Sequence, residues 1–336
     1  MGLPTSTSDR PDQWSSSLAA CLGALVIGAV LLFGLMIAID PYDTGKFGWL
    51  GIDGVDDRDT HTATASRARD PLFDSAIVGN STAQMLHPVK LSQATGLRFV
   101  QLYMTGGKPR KQLAVLDAFL RNHRQVGALV FVTDPLWCVH ELVDYPGDYV
   151  NPWLYDDSLI AYAVRLLSWP AIEHLSQRIS IGLGWRKRNE PNGYFSYEDI
   201  WHPGVFREID PPRDSVPVES VAVRETFPEI ALLDAAVKRL PAGVSVVVVV
   251  PPTFHTTIAK PGTPAAAEQD ACNAALKRVV AGRPHSNFIN YRVDNALTLD
   301  TANFADFVHY RPGIADRMVE GIVDSIKFGE GAKIDF

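Results

Sequence analysis

Apolar and polar positions divide the chain into stretches of different character. Residues 18–39, LAACLGALVIGAVLLFGLMIAI, form an uncharged run of 22 residues, which at about 1.5 Å per helical residue covers a hydrocarbon core of about 30 Å. Polar PDQWSSS precedes the run and Asp40-Pro41 follows it, so one transmembrane helix with clean ends is predicted. Residues 40–70 are rich in Gly, Asp and Thr without sustained apolar periodicity, the pattern of a stalk. Beyond residue 71, short β-rich runs alternate with helical periodicities. Strands are expected at 75–78, 98–103, 128–132, 244–250 and 287–291, and helices at 111–121, 228–240, 264–280 and 312–326. Residues 246–250 are all valine, which suits a strand buried on both sides. In the last helix Ile314, Met318, Ile322 and Ile326 recur every four residues, a stripe facing a core.

Strands alternating with helices predict an α/β fold, a three-layer α/β/α arrangement around a mostly parallel sheet. Between 139 and 226 the rhythm breaks into a Trp-, Tyr- and Pro-rich stretch with helical patterns near 158–168 and 171–179. It reads as an insertion above the sheet, shaping a substrate mouth or covering the sheet. The expected layout is a leader over 1–17, a span over 18–39, a stalk over 40–70 and one domain over 71–336.

Composition narrows the partners. Lys and Arg number 31 against 38 Asp and Glu, a formal charge of -7, which lacks the basic surface that a phosphate backbone requires. No nucleic-acid role is expected. Cys21, Cys138 and Cys272 are too few for a disulfide scaffold and are spaced for neither zinc nor a redox pair. Whether Cys138 and Cys272 pair stays open. No His-x-His or His-Glu-x-x-His spacing occurs, so neither a metal nor a cofactor is expected. The leader holds Arg10 alone as a basic residue, while Lys46 and Arg58 follow the span. These charges do not set the orientation; an uncleaved signal anchor is expected, with the leader cytoplasmic because 17 residues are easily retained.

Two strings carry chemistry. In Asp74-Ser75-Ala76-Ile77-Val78-Gly79-Asn80-Ser81 an apolar strand stops at glycine. A sharp turn there leaves the Ser81 hydroxyl at the carboxyl edge of the sheet, where open α/β folds bind ligands. Ser81 then reads as a nucleophile or as the cap of the next helix. In Asp306-Phe307-Val308-His309-Tyr310, Asp306 stands three residues ahead of His309, a spacing that holds an imidazole in the tautomer accepting a serine proton. Taken singly, Asp306 is a turn residue and His309 a satisfied core histidine. Taken together, the serine follows the domain's first strand and the Asp-x-x-His precedes its last helix, which places both at one sheet edge.

This order resembles the SGNH (GDSL-like) hydrolase superfamily over roughly residues 71–326, and is locally specific in those two strings. The resemblance implies a flavodoxin-like sheet, with Ser81 as nucleophile, His309 as general base and Asp306 as its orienting acid. For the oxyanion hole it implies the backbone N–H of Ser81 and that of Gly106 or Gly107, which follow the second strand where the superfamily has a glycine block. At Val132-Thr133-Asp134-Pro135 the superfamily has a donating Asn that this chain lacks. An ionised Asp134 cannot donate, so Asn80 or a backbone group substitutes, or the hole is weaker. Gly79-Asn80-Ser81-Thr82-Ala83 also approximates the Gly-x-Ser-x-Gly elbow of α/β-hydrolases, but the Asp-to-His spacing argues against that fold.

A single span followed by such a domain is similar to membrane-anchored SGNH-like proteins that handle acyl groups on bacterial envelope polymers. The similarity implies an inner (plasma) membrane location with the domain periplasmic or extracellular. It implies a serine esterase or O-acyltransferase, acting on a polysaccharide or glycolipid beside a multispanning O-acyltransferase. Asp134, Trp153, Tyr155 and Trp201 are then candidates for the substrate mouth, although aromatics so placed more often serve plain packing. His202 and His255 are spare candidates. The competing expectation is a catalytically silent SGNH-like scaffold for a membrane O-acyltransferase or a polysaccharide export complex.

Overall fold

The computed structural model describes residues 11–52, 54–55, 60–139, 151–186, 190–197 and 226–329. The apolar runs become five strands: β1 Ser75–Gly79, β2 Phe99–Tyr103, β3 Ala128–Val132, β4 Ser245–Val250 and β5 Asn287–Asn290. Eleven α-helices surround them among the described residues. Ahead of β1 stand α1 Pro11–Ile39 and α2 Thr60–Arg67; α3 Pro88–Thr95 and α4 Pro109–Asn122 follow β1 and β2 in turn. After β3 come α5 Pro152–Tyr155, α6 Leu159–Leu166, α7 Trp169–Gly182 and α8 Pro228–Lys238. The chain closes with α9 Pro264–Val280, α10 Ala296–Leu299 and α11 Pro312–Phe328. Proline opens the first turn of α3, α4, α7, α8, α9 and α11, where its fixed φ fits and its missing N–H costs nothing.

The sheet is wholly parallel, in the order β2-β1-β3-β4-β5. Alternation along β4 shows both faces covered: Val246, Val248 and Val250 pack with α4, α8 and α9, while Val247 and Val249 pack with α3 and α11. Ile314, Met318, Ile322 and Ile326 do face the core. Cys138 and Cys272 form a disulfide with their Cα atoms 5.5 Å apart, joining the turn after β3 to α9.

Helix α1 is long and apolar enough to cross a membrane. From Trp14 it runs 26 residues, and its most apolar 18-residue window has a mean hydropathy of 2.8 and is only 11% buried. That exposure separates it from a core helix.

The described residues of the expected stalk are folded. Thr60, Thr62 and Thr64 of α2 are buried, and α2 packs on β2. Asp43 accepts a hydrogen bond from Ser66 Oγ at 2.5 Å and pairs with Arg178 at 3.0 Å and with Arg69. Burial pushes the Asp43 carboxyl up, but Arg178 and Arg69 reverse this and hold it below the ordinary carboxylate range. The polar residues of this segment serve internal bonds, so it lacks an apolar period without being a linker. The described part of the insertion also departs from expectation. Tyr162, Leu166, Ala171 and Leu175 join Met36, Ile39 and Tyr42 in one core, so α6 and α7 gather around the end of α1 rather than above the sheet.

Candidate active site

Gly79 ends β1 because nothing larger fits: a Cβ there would stand 2.7 Å from Ala83 Cβ and 3.0 Å from Val132 O. Asn80 then turns the chain. Its Oδ1 accepts from Thr82 N at 3.0 Å and Thr82 Oγ1 at 2.8 Å, which starts the short 3-10 turn Ser81–Ala83. Ser81 is thereby raised at the carboxyl edge of β1, partly exposed at the head of that turn.

The second string reaches the same edge on a closed loop. Phe304 and Tyr310 form an antiparallel bridge, and Ala305 N donates to His309 O at 2.7 Å. Asp306 Oδ1 accepts the backbone N–H of Val308 and of His309, each at 2.8 Å. Tyr310 carries the loop to the serine turn, its buried hydroxyl donating to Thr82 O at 2.5 Å. Tyr197 donates to Tyr310 O and lies edge-on to the His309 ring at 5.6 Å.

The outcome is a continuous relay. His309 Nε2 lies 2.8 Å from Ser81 Oγ, and His309 Nδ1 lies 2.7 Å from Asp306 Oδ2, so residues 228 positions apart share one hydrogen-bond chain. No family model, curated protein or solved structure matches this chain. The chemistry of the site therefore rests on its geometry.

That geometry fixes the roles the groups can take. With Nδ1–H donated to Asp306, Nε2 carries the lone pair that accepts the Ser81 proton. Burial raises the Asp306 carboxyl, but hydrogen bonds from the His309 ring and the Val308 amide outweigh it and hold the group below its ordinary range. Asp306 stays ionised, as an orienting acid must. Beneath Ser81, Asp134 accepts from the Asn80 side-chain amide and from Leu136 N at 2.8 Å. Burial pushes its carboxyl up to about 6, against the Leu136 and Trp137 amides and the Arg292 charge.

The oxyanion candidates separate. The Gly107 N–H donates to Met104 O at 2.8 Å and so serves its own turn, which removes it as a ready donor. Gly106 holds a left-handed φ of 64° in that turn, just beyond Tyr103, the partner of Gly79 in the sheet. One of the two amide hydrogens of Asn80 is taken by Asp134, which orients the group. The Asn80 carbonyl is spent on Thr82.

Three of the four substrate-mouth candidates can be placed. Asp134 is buried under Asn80 and is a support, not a lining residue. Trp153 stacks edge-on with Tyr42 at 5.1 Å, and its carbonyl accepts from Lys46 Nζ. Tyr155 is buried with its hydroxyl on His61 O. Trp153 closes α5 onto the segment after α1 and Tyr155 closes it onto α2, so packing is what they do. Trp201 and His202 lie outside the described residues. Among the described residues no group of three His, Cys, Asp or Glu is disposed to hold a metal. The sequence carries no signal for the parts played by Tyr310, Tyr197 and Arg292; Tyr310 adjoins His309, but nothing local tells that its hydroxyl reaches Thr82.

Proposed function

We propose that the chain is a membrane-tethered, SGNH-like serine esterase or O-acyltransferase acting on a polysaccharide or glycolipid outside the cytoplasm. The observation that carries the reading is the relay from Ser81 Oγ through His309 to Asp306, at 2.8 and 2.7 Å. His309 Nε2 takes the Ser81 proton as Oγ attacks an ester carbonyl, forming a tetrahedral oxyanion. The Ser81 N–H and the second Asn80 amide hydrogen are the donors offered to that oxyanion. Collapse breaks the ester C–O bond, His309 returns the proton to the leaving alcohol, and an acyl-serine remains. Water or a sugar hydroxyl then attacks it, with His309 again taking the proton. Hydrolysis and transfer differ only in that second nucleophile.

The Cys138–Cys272 disulfide supports a domain facing an oxidising compartment, because such bonds persist there and are rare in the cytosol. The bacterial inner membrane, the sugar substrate and a multispanning O-acyltransferase partner follow from the resemblance of the two strings. The scaffold reading keeps one support, the inward-turned Gly107 amide where a donor is expected. Fluorophosphonate labelling of the full-length protein in detergent separates the two. Wild type is expected to label and Ser81→Ala to stay blank at equal folded fraction. Folded wild type that does not label, or Ser81→Ala that labels equally, contradicts the enzyme reading.

A further inference from the structure

Helix α6 buries Tyr162 and Leu166, and its other face is also apolar. Ile160, Val164 and Leu167 are 81%, 64% and 71% exposed, and Trp169 just beyond is 69% exposed. The i, i+4, i+7 spacing aligns the first three on one stripe. An amphipathic surface helix would set polar residues there, and an uncovered stripe of this kind marks an interaction surface.

We propose that this stripe, with Trp169 and the exposed Trp49 and Leu50, rests in the interface of the bilayer that α1 crosses. The proposal relies on α1 being a membrane span. Along α1 every side chain from Trp14 through Leu32 is exposed, Phe33 is the first partly buried one and Met36 the first buried one, so about 28 Å of bare helix precedes the domain, close to one hydrocarbon thickness. The membrane boundary then falls near Phe33, and α6 and α7 pack on α1 there. Gly48 N donates to Ile37 O, and Trp49 N and Leu50 N donate to Ala38 O. These bonds hold the exposed Trp49 and Leu50 rings and branches at the same end of α1. Aliphatic side chains flanked by tryptophans, with Arg165 on the same helix, are the composition of an interfacial helix. Within α7, by contrast, the exposed mid-helix positions Glu173 and Ser176 are polar, and exposed apolar side chains return only at its ends, with Trp169, Leu183 and Trp185. The domain would thus be seated by two contacts, the span and the stripe, which fixes its tilt over the membrane and the direction in which the Ser81 edge faces.

The test places an environment-sensitive NBD label on single cysteines of the full chain carrying Cys21→Ser, reconstituted in phosphatidylcholine–phosphatidylglycerol vesicles. Labelled positions are Ile160→Cys, Leu167→Cys, Ser176→Cys and, within the span, Ile27→Cys. Expected are blue-shifted emission at 160 and 167 and quenching by doxyl-labelled lipid roughly twofold or more above that at 176. Emission at 160 and 167 as in water, or shielded emission that doxyl lipid does not quench, overturns the stripe; the latter result would mean that protein covers it. Quenching at 27 without quenching at 160 overturns the stripe alone. Absence at both overturns the span and the stripe together, while the esterase reading stands or falls on fluorophosphonate labelling.

Discussion

The Ser81 edge and the collar around the end of α1 are built by opposite means. At the edge, two short strings each fold by their own local bonds, Asn80 to Thr82 and Asp306 to the amides of Val308 and His309. One long-range hydroxyl, that of Tyr310, then docks them. The collar is tied together by long-range contacts. Asp43 meets Arg178 from α7, Tyr42 packs against Trp153, Tyr162 and His174, and Lys46 stands over the Tyr162 ring. The edge is a polar device on a rigid sheet, and the collar is a small core with a buried ion pair inside it. Damage to the first should cost chemistry and damage to the second should cost stability.

The sharpest break in that contrast is Asp306→Asn. It keeps the loop bonds to Oδ1 but no longer holds His309 in the useful tautomer, so ester turnover is expected to fall by about ten-thousand-fold, with the melting temperature nearly unchanged. Turnover within tenfold of wild type would remove Asp306 from the relay. Asp43→Ala is the converse. It leaves Arg178 buried without its counter-ion and is expected to cost about 3–5 kcal/mol by urea unfolding, while the folded fraction keeps its rate of fluorophosphonate labelling. A loss below about 1 kcal/mol would mean that the collar contributes little to stability.

This contrast also explains what was legible in advance. The five strands and helices α4, α8, α9 and α11 follow periodicity, while the short α3 shows none, and the two strings carry their own geometry, so their meeting at one edge follows once the sheet is parallel. The collar depends on pairing between residues 40–54 and 151–182. Asp43 and Thr60 read as linker residues until Arg178 and Thr105 are seen beside them. Trp153 and Tyr155 failed as mouth residues for the same reason: an aromatic in an insertion shows its bulk in sequence but not its neighbours. The Cys138–Cys272 pairing was equally invisible, since it depends on the turn after β3 reaching α9.

Two smaller effects refine the boundary between the regions. Asp134 is folded with its carboxyl at about 6, above its unfolded value, so the folded state binds its proton more tightly than the unfolded chain. Its contribution therefore turns against folding as pH rises from about 4 to about 6, by on the order of 3 kcal/mol in full. Asp134→Asn is expected to remove this contribution to the pH dependence of the melting temperature between about pH 4 and about pH 6, and parallel curves for the two proteins would contradict the buried carboxyl. Tyr310→Phe leaves Thr82 O without its donor. It should cost about 1–3 kcal/mol and lower kcat about tenfold with KM little changed; a change confined to stability would make Tyr310 a core residue only.

The most direct measurement is intact-mass spectrometry of the full-length protein quenched in acid seconds after mixing with p-nitrophenyl acetate. Wild type is expected to gain one acetyl group, mapped to Ser81 by peptide analysis, while His309→Ala and Ser81→Ala gain none in that interval. An acetyl group on another residue, or equal acetylation of Ser81 without His309, would show that the serine and the histidine do not act as a pair.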